Sequence, residues 1–254
     1  MDISVNGIHF SYPHKKDILR GIGFEMSGNE FVGIIGPNGS DKTTLLKCIN
    51  RILEPQQGEI CLGGSDIAKM RRIDIAKNIG YVPQSGGLEL SSPTVYEVVM
   101  MGRRPHGGWQ MNSDDEAIVW KAMEDMSIRD LAVQSFDSLS SGQVQRVLMA
   151  RALAQQADIM LLDEPTSNLD LRYQIEVMNL IRDLVDRRGV GACAIIHDME
   201  LTLKYCDKVI LMQDGIITAA GRVEDVITPE NIREVYGVDA VIDRHYSKPH
   251  VIIL

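Results

Sequence analysis

Glu30-Phe31-Val32-Gly33-Ile34-Ile35 is a short apolar run with β-branched residues, and it leads directly into Gly36-Pro37-Asn38-Gly39-Ser40-Asp41-Lys42-Thr43. The first stretch reads as a buried strand and the second as a glycine-rich turn. Thr43 to Ile52 follows with helical composition. Such a strand–turn–helix unit points backbone N–H groups at an anion and adds the positive end of the helix dipole. The turn fits the pattern G-x-x-x-x-G-K-[ST] everywhere except at Asp41, where glycine is expected. Lys42 is then placed to pair with phosphates and the Thr43 hydroxyl to ligate Mg²⁺, with Thr44 continuing the turn into the helix. A glycine-rich turn of no special role is the plainer reading. The strand before it, the helix after it and Lys-Thr-Thr in register outweigh that reading.

Asp41 puts a carboxylate where the backbone must approach a polyanion. Two unit charges about 4 Å apart at an effective dielectric near 20 repel by about 4 kcal/mol. Half of that would weaken binding by more than about tenfold. The expectation is impaired nucleotide binding or turnover.

The rest of the chain keeps the same alternation. Asp2 to Phe10 and Ile18 to Met26 read as strands around a turn over 12–17. Ile159 to Leu162 and Val190 to Ile196 read as buried strands, with an amphipathic helix over Leu171 to Arg187 between them. Val209–Met212 and Ile216–Ala220, joined through Asp214-Gly215, read as a hairpin. Strands alternating with helices indicate a mainly parallel sheet. Thr94 to Met101 and Ser113 to Met126 break the rhythm as two helices with no strand between them, the second with Ser113 as N-cap. They suggest an inserted helical subdomain.

Among 254 residues, 44% apolar, there is room for a sizeable core, and a net charge of −9 argues against a general nucleic-acid binder. No run approaches the roughly 20 apolar residues that span a bilayer, and Met1 to Asn6 lacks the features of a secretory signal. A cytoplasmic chain is expected, reaching any membrane through a partner. Cys48, Cys61, Cys193 and Cys206 have no C-x-x-C spacing and read as free thiols.

Two further motifs decide the class. Ile159-Met160-Leu161-Leu162-Asp163-Glu164 is four apolar residues followed by two acids at the carboxyl end of a strand, where ligands bind in open α/β sheets. Asp163 suits a Mg²⁺ ligand and Glu164 a general base. Shortly upstream, Leu139-Ser140-Ser141-Gly142-Gln143 opens a helix. This run resembles the signature L-S-G-G-Q of ATP-binding-cassette (ABC) ATPases, with Ser141 for the first glycine, and the acids resemble their Walker B motif.

By that resemblance Tyr12 is the aromatic that stacks on adenine, and Gln84 senses Mg²⁺ and the attacking water. Ser167-Asn168-Leu169-Asp170 crosses a dimer interface, and His197 contacts the γ-phosphate. The resemblance covers nearly the whole chain. It implies a P-loop NTPase core with a mainly parallel sheet, an N-terminal antiparallel β subdomain and an inserted α-helical subdomain. Residues 1–254 would form a single domain, with about 1–84 and 158–254 as core and about 85–157 as the helical part. It also implies ATP and Mg²⁺, and a head-to-tail dimer in which Ser140, Ser141, Gly142 and Gln143 face the ATP of the other subunit.

Thr94 to His106, with its Gly-Arg-x-Pro core, and the tail Pro229 to Val238 resemble the importer ATPases for ferric siderophores, haem and vitamin B12. The implied partners are transmembrane permease subunits and, indirectly, an extracytoplasmic solute-binding protein. Residues from Gln84 to about Trp109 would receive the permease. Leu88, Val95, Met100, Met101 and Trp109 either line that surface or fill the core. A soluble ABC ATPase without a permease, or a subunit silenced by Asp41, are the competing readings.

Overall fold

The computed structural model describes residues 1–84, 93–107, 112–167, 169–243, 245 and 249–254. The chain opens with an antiparallel ribbon of β1 (Ile3–Tyr12) and β2 (Lys15–Met26), followed by β3 (Phe31–Ile35) and helix α1 (Lys42–Ile49). Next come β4 (Gln57–Leu62), β5 (Ser65–Asp66), α2 (Arg72–Asn78) and β6 (Ile79–Val82). Four helices follow: α3 (Val95–Met100), α4 (Arg104–Gly107), α5 (Ser113–Asp125) and α6 (Ser141–Gln155). The α/β alternation resumes with β7 (Ile159–Leu162), α7 (Leu171–Arg188), β8 (Gly191–Ile195) and α8 (Met199–Tyr205). The end of the chain holds the hairpin β9 (Lys208–Gln213) and β10 (Ile216–Arg222), then α9 (Val223–Val226), α10 (Pro229–Tyr236), β11 (Ala240–Asp243) and β12 (His250–Ile253).

The central sheet has the order β10-β9-β3-β8-β7-β6, with β10 antiparallel and the other neighbours parallel. β3, β7 and β8 are buried along their whole length, as the unbroken apolar runs require of strands covered on both faces. A second, antiparallel sheet, β2-β1-β4-β5, packs its apolar face with α1 and β3 in one cluster that includes Ile8, Leu19, Leu45 and Ile34. Helices α3, α5 and α6 form the other main cluster, around Val98, Met123 and Leu148. The mixed sheet, antiparallel ribbon and helical insertion are the architecture expected from sequence. Among the described residues no helix is long and apolar enough to cross a membrane.

Several local expectations shift. The first turn is shorter, because β1 runs on to Tyr12 and β2 starts at Lys15. α1 stops at Ile49 rather than Ile52. Arg51 takes φ 52°, and the amides of Arg51 and Ile52 bond back to Cys48 and Lys47, a Schellman ending. Ser113 does not cap α5. Asn112 does, in a reciprocal capping box with Asp115, although Glu116 stands at the same spacing from Ser113. Val95 is fully buried in the helical core and offers no docking surface, while Met100 packs against that core from its edge. Leu88 and Trp109 lie outside the described residues.

Candidate functional site

The carboxyl ends of β3, β7 and β8 deliver the phosphate turn, the acid pair and His197 to one edge of the sheet. An open cleft of about 200 Å³ is lined there by Asn38, Gly39, Asp41, Lys42, Thr43, Thr44, Glu164 and His197. Residues from three separate stretches of sequence therefore share one site.

The turn depends on its glycines. At Gly36 (φ 147°) a Cβ would lie 2.0 Å from the Met212 carbonyl oxygen, so no side chain fits. Gly39 takes φ 84°. Asp41 sits in the left-handed region at φ 64°, ψ 28°, the conformation that explains why glycine is expected there. Its side chain makes no capping bond to α1 and lines the cleft. Ser40 is buried, and its hydroxyl lies 3.2 Å from the Lys42 ammonium.

Lys42 is 6% exposed and folds back over the turn, donating to the carbonyls of Gly36 (2.9 Å) and Pro37 (2.8 Å). Burial pushes its pKa down, against the pull of Glu164, Asp163 and Asp41. The Tyr12 hydroxyl lies 3.4 Å from Thr44 Oγ1, and its ring stands edge-on to Phe10 beside the start of α1.

Thr43 Oγ1 donates to Asp163 Oδ1 (2.8 Å), and Tyr81 donates to the other oxygen of Asp163 (3.2 Å). Burial raises the Asp163 pKa, and these two hydrogen bonds act against that shift. A hydroxyl and a carboxylate in contact are hard oxygen donors. They fit Mg²⁺, which takes few protein ligands and fills its octahedron with water and phosphate oxygens.

Glu164 takes φ 53°, which turns its side chain out of the strand direction into the cleft. The Gln84 amide donates to its Oε2 (2.6 Å), and His197 Nε2 lies 2.7 Å from its Oε1. Ser167 donates to the Glu164 carbonyl through both its amide and its hydroxyl, which steadies the turn.

The remaining expected residues lie apart from this cleft. Ser140 caps α6, accepting from the Gln143 amide while the Gln143 side chain accepts from the Ser140 amide (2.9 Å). That reciprocal box gives Gln143 a local role that was not read from sequence. Ser141 takes the first helical position and Gly142 follows; none of the four lines the cleft. Asp170 caps α7 by accepting from the Tyr173 amide (3.1 Å), and its neighbour Asn168 lies outside the described residues. Sequence reasoning missed two amides that brace the loop after Glu164. Buried Gln145 donates to Pro165 O (3.3 Å), and Gln174 donates to Leu169 O (3.0 Å). Only tertiary contact reveals them.

Comparison with known proteins agrees with this geometry. Residues 19–167 match the ABC transporter family. The chain is 43% identical over 252 residues to an uncharacterised ABC transporter ATP-binding protein of Methanocaldococcus jannaschii, covering 99% of this chain and 98% of the relative. It is 36% identical to a cobalamin import ATP-binding protein of Halobacterium salinarum, covering 93% of this chain but 59% of that longer protein. Relatives named for petrobactin import, ferric enterobactin transport and hemin import also match, in line with the resemblance read from Thr94 to His106. Among solved structures, an ABC transporter assigned to the metal-chelate type, in an inward-facing conformation, superposes with a TM-score of 0.84. It is 27% identical, with 99% of this chain and 96% of that one covered. The family match, these relatives and the meeting of Lys42, Thr43, Glu164 and His197 on one cleft together place the chain in the ABC transporter family, as an ATP-binding subunit.

Proposed function

We propose that this chain binds and hydrolyses ATP to drive an importer of a metal chelate of the ferric siderophore, haem or cobalamin type. The observation that carries the reading is the convergence of Lys42, Thr43, Glu164 and His197 on one cleft, with Asp163 bonded to Thr43 and Gln84 bonded to Glu164. The relatives named for import support the choice of transport system.

Lys42 exchanges its carbonyl partners for the β- and γ-phosphates, and the amides of residues 38–43 cradle them. Thr43 and Asp163 would hold Mg²⁺. When bound, the ion would supply positive charge against the charge that develops on transfer. Glu164 accepts the proton of the attacking water; of the two residues bonded to its carboxylate, Gln84 would meet Mg²⁺ and the attacking water, and His197 the γ-phosphate, when nucleotide is bound. Tyr12 stacks on the adenine. Ser140 to Gln143 lie off the cleft; by the resemblance to the family, they serve the phosphate of a second copy in a head-to-tail dimer. Residues 85–157 act as the helical part that meets a permease, and the subunit works at the cytoplasmic face of the membrane, fed from outside by a solute-binding protein. The division into core (1–84 and 158–254) and helical part belongs to the same reading.

Asp41 adds a negative charge to a site that must take a triphosphate beside Glu164. It weakens nucleotide binding in this chain. The test compares the chain with Asp41→Gly, measuring ATP affinity by calorimetry and phosphate release in Mg²⁺. Affinity is expected to rise more than about tenfold in the revertant, the equivalent of 1.4 kcal/mol, with steady hydrolysis. Equal affinities would remove the Asp41 argument. A revertant that binds no ATP would remove the function.

A further inference from the structure

β6, the edge strand of the central sheet, reaches both acids that follow β7. Tyr81 and Leu161 are register partners, and the Asp163 amide donates to the Val82 carbonyl (2.9 Å), so the pairing of the two strands continues to the first acid. Two side-chain donors come from this strand and the chain just after it. The Tyr81 hydroxyl donates to Asp163 Oδ2 (3.2 Å), and the Gln84 amide donates to Glu164 Oε2 (2.6 Å). Each acid is thus held from the β6 side.

Asp163 is buried, and its two oxygens have different partners. Oδ1 takes the hydroxyl of Thr43, which lines the cleft. Oδ2 takes the hydroxyl of Tyr81, which does not line it and whose ring packs against the buried cluster of Ile34, Leu45 and Leu161. The torsion that turns a carboxylate about its last bond is broad, so rotamer preference sets its direction only weakly. The orientation of Asp163 therefore depends on its hydrogen bonds, and of the two donors Tyr81 is the one anchored away from where a ligand enters. A phenol, with an ordinary pKa of about 10, keeps the proton it donates at neutral pH.

We propose that Tyr81 is a positioning residue for the metal of this site, its hydroxyl fixing the Asp163 carboxylate so that Oδ1 stays presented to Thr43, the pair that would hold Mg²⁺. This inference rests on the reading of the cleft as an ATP–Mg²⁺ site. Mg²⁺ demands near-ideal octahedral geometry, and the groups that orient a ligand side chain carry part of the affinity for the ion. Tyr81 acts through Asp163 and touches neither nucleotide nor ion.

Tyr81→Phe, made in the full chain carrying Asp41→Gly, keeps the ring and removes the donor. Calorimetry follows the binding of a non-hydrolysable ATP analogue, once in Mg²⁺ and once in EDTA. Affinity is expected to fall about tenfold in Mg²⁺ and to stay within about twofold in EDTA, so that the gain Mg²⁺ gives the parent shrinks. Equal losses in both media would mark a role in packing, and no loss in either would mark no role; each result overturns the proposal.

A second measurement needs no nucleotide. Tyr81→Phe should lower Tm by about 2–4 °C, the effect of one hydrogen bond, and by less than about 1 °C when made on top of Asp163→Ala. Equal falls in the two backgrounds would show that the hydroxyl does not act on the carboxylate, which also overturns the proposal. An Asp41→Gly parent that binds no analogue would instead strike the proposed function, with the Tm comparison still deciding whether Tyr81 holds Asp163. A parent that binds the analogue equally with and without Mg²⁺ would strike the metal reading of Thr43 and Asp163, and this proposal with it.

Discussion

The Thr43 hydroxyl donates to the Asp163 carboxylate over 2.8 Å, joining residues 120 apart in sequence, one at the start of α1 and the other just past β7. Neither residue is on β8, which runs between β3 and β7, so the contact spans the strand that leads to His197. The pair is the part of the cleft where a hydroxyl and a carboxylate already meet, and it sets the first prediction.

Asp163→Asn should abolish Mg²⁺-dependent hydrolysis and yet stabilise the fold at neutral pH. Burial raises the folded-state pKa of Asp163 above 3.8. Between those two values the native state holds a proton that the unfolded state has released, so stability falls as pH rises through that window. Asparagine carries no such charge. Its Tm should exceed the parent's at pH 7, with the gap closing below about pH 3.8, at about 2–4 °C per kcal/mol. Scanning calorimetry across pH checks the sign; a lower Tm at pH 7 in the variant would contradict the burial argument.

Glu164→Gln, in the Asp41→Gly background, should keep nucleotide affinity and slow phosphate release by about 10²–10⁴-fold, the scale of a lost general base. Single-turnover release beside equilibrium binding separates the two steps. Parallel losses in both would mean that Glu164 serves binding and not proton transfer.

Asp41→Asn separates charge from bulk. Asparagine accepts the left-handed backbone at φ 64° as readily as aspartate does. If repulsion dominates, Asn should recover most of the affinity gained by Gly, and the gain should shrink as salt screens the charge. Recovery with Gly alone would assign the defect to side-chain volume in the turn.

Gly102→Ala addresses the Gly-Arg-x-Pro core. A Cβ at Gly102 would stand 2.2 Å from the Arg151 carbonyl oxygen and 3.2 Å from Ala154 Cβ, where the chain after α3 presses on α6. Forcing them apart should cost about 1–3 kcal/mol, read as a lower Tm. This glycine therefore serves close packing within the helical region, whatever docks on its outer side. Arg103 beside it is buried too, bonded to Asp115 (2.8 Å) and to the Ala154 carbonyl (2.8 Å) at the end of α6.

What could be read in advance was local. The strand, turn and helix around Gly36 announce themselves because period, glycine and Lys-Thr occur within some twenty residues, and Asp214-Gly215 marks its hairpin with two consecutive positive φ angles. Asn112 and Ser113 are both good caps, and each has an acid three residues on (Asp115 and Glu116), so the local sequence does not decide between them. Residues 53–80 went unread: β4 alternates weakly and α2 is short and charged, so neither shows a clear apolar face. Gln145 and Gln174 could not be read at all, since each acts on a backbone group far away in sequence or around a loop. The clamp of Gln84 and His197 on Glu164 was legible as three separate residues but not as one bonded set.

The strand order carries a consequence for biosynthesis. β3 is made early, yet both of its neighbours, β8 and β9, come from residues 191–213. On the ribosome, the nascent chain must therefore carry an apolar strand with two open edges until most of the polypeptide has emerged, an arrangement that invites wrong pairing. Ribosome-bound intermediates of this protein should need chaperone cover, and its phosphate turn should take shape only near the end of translation.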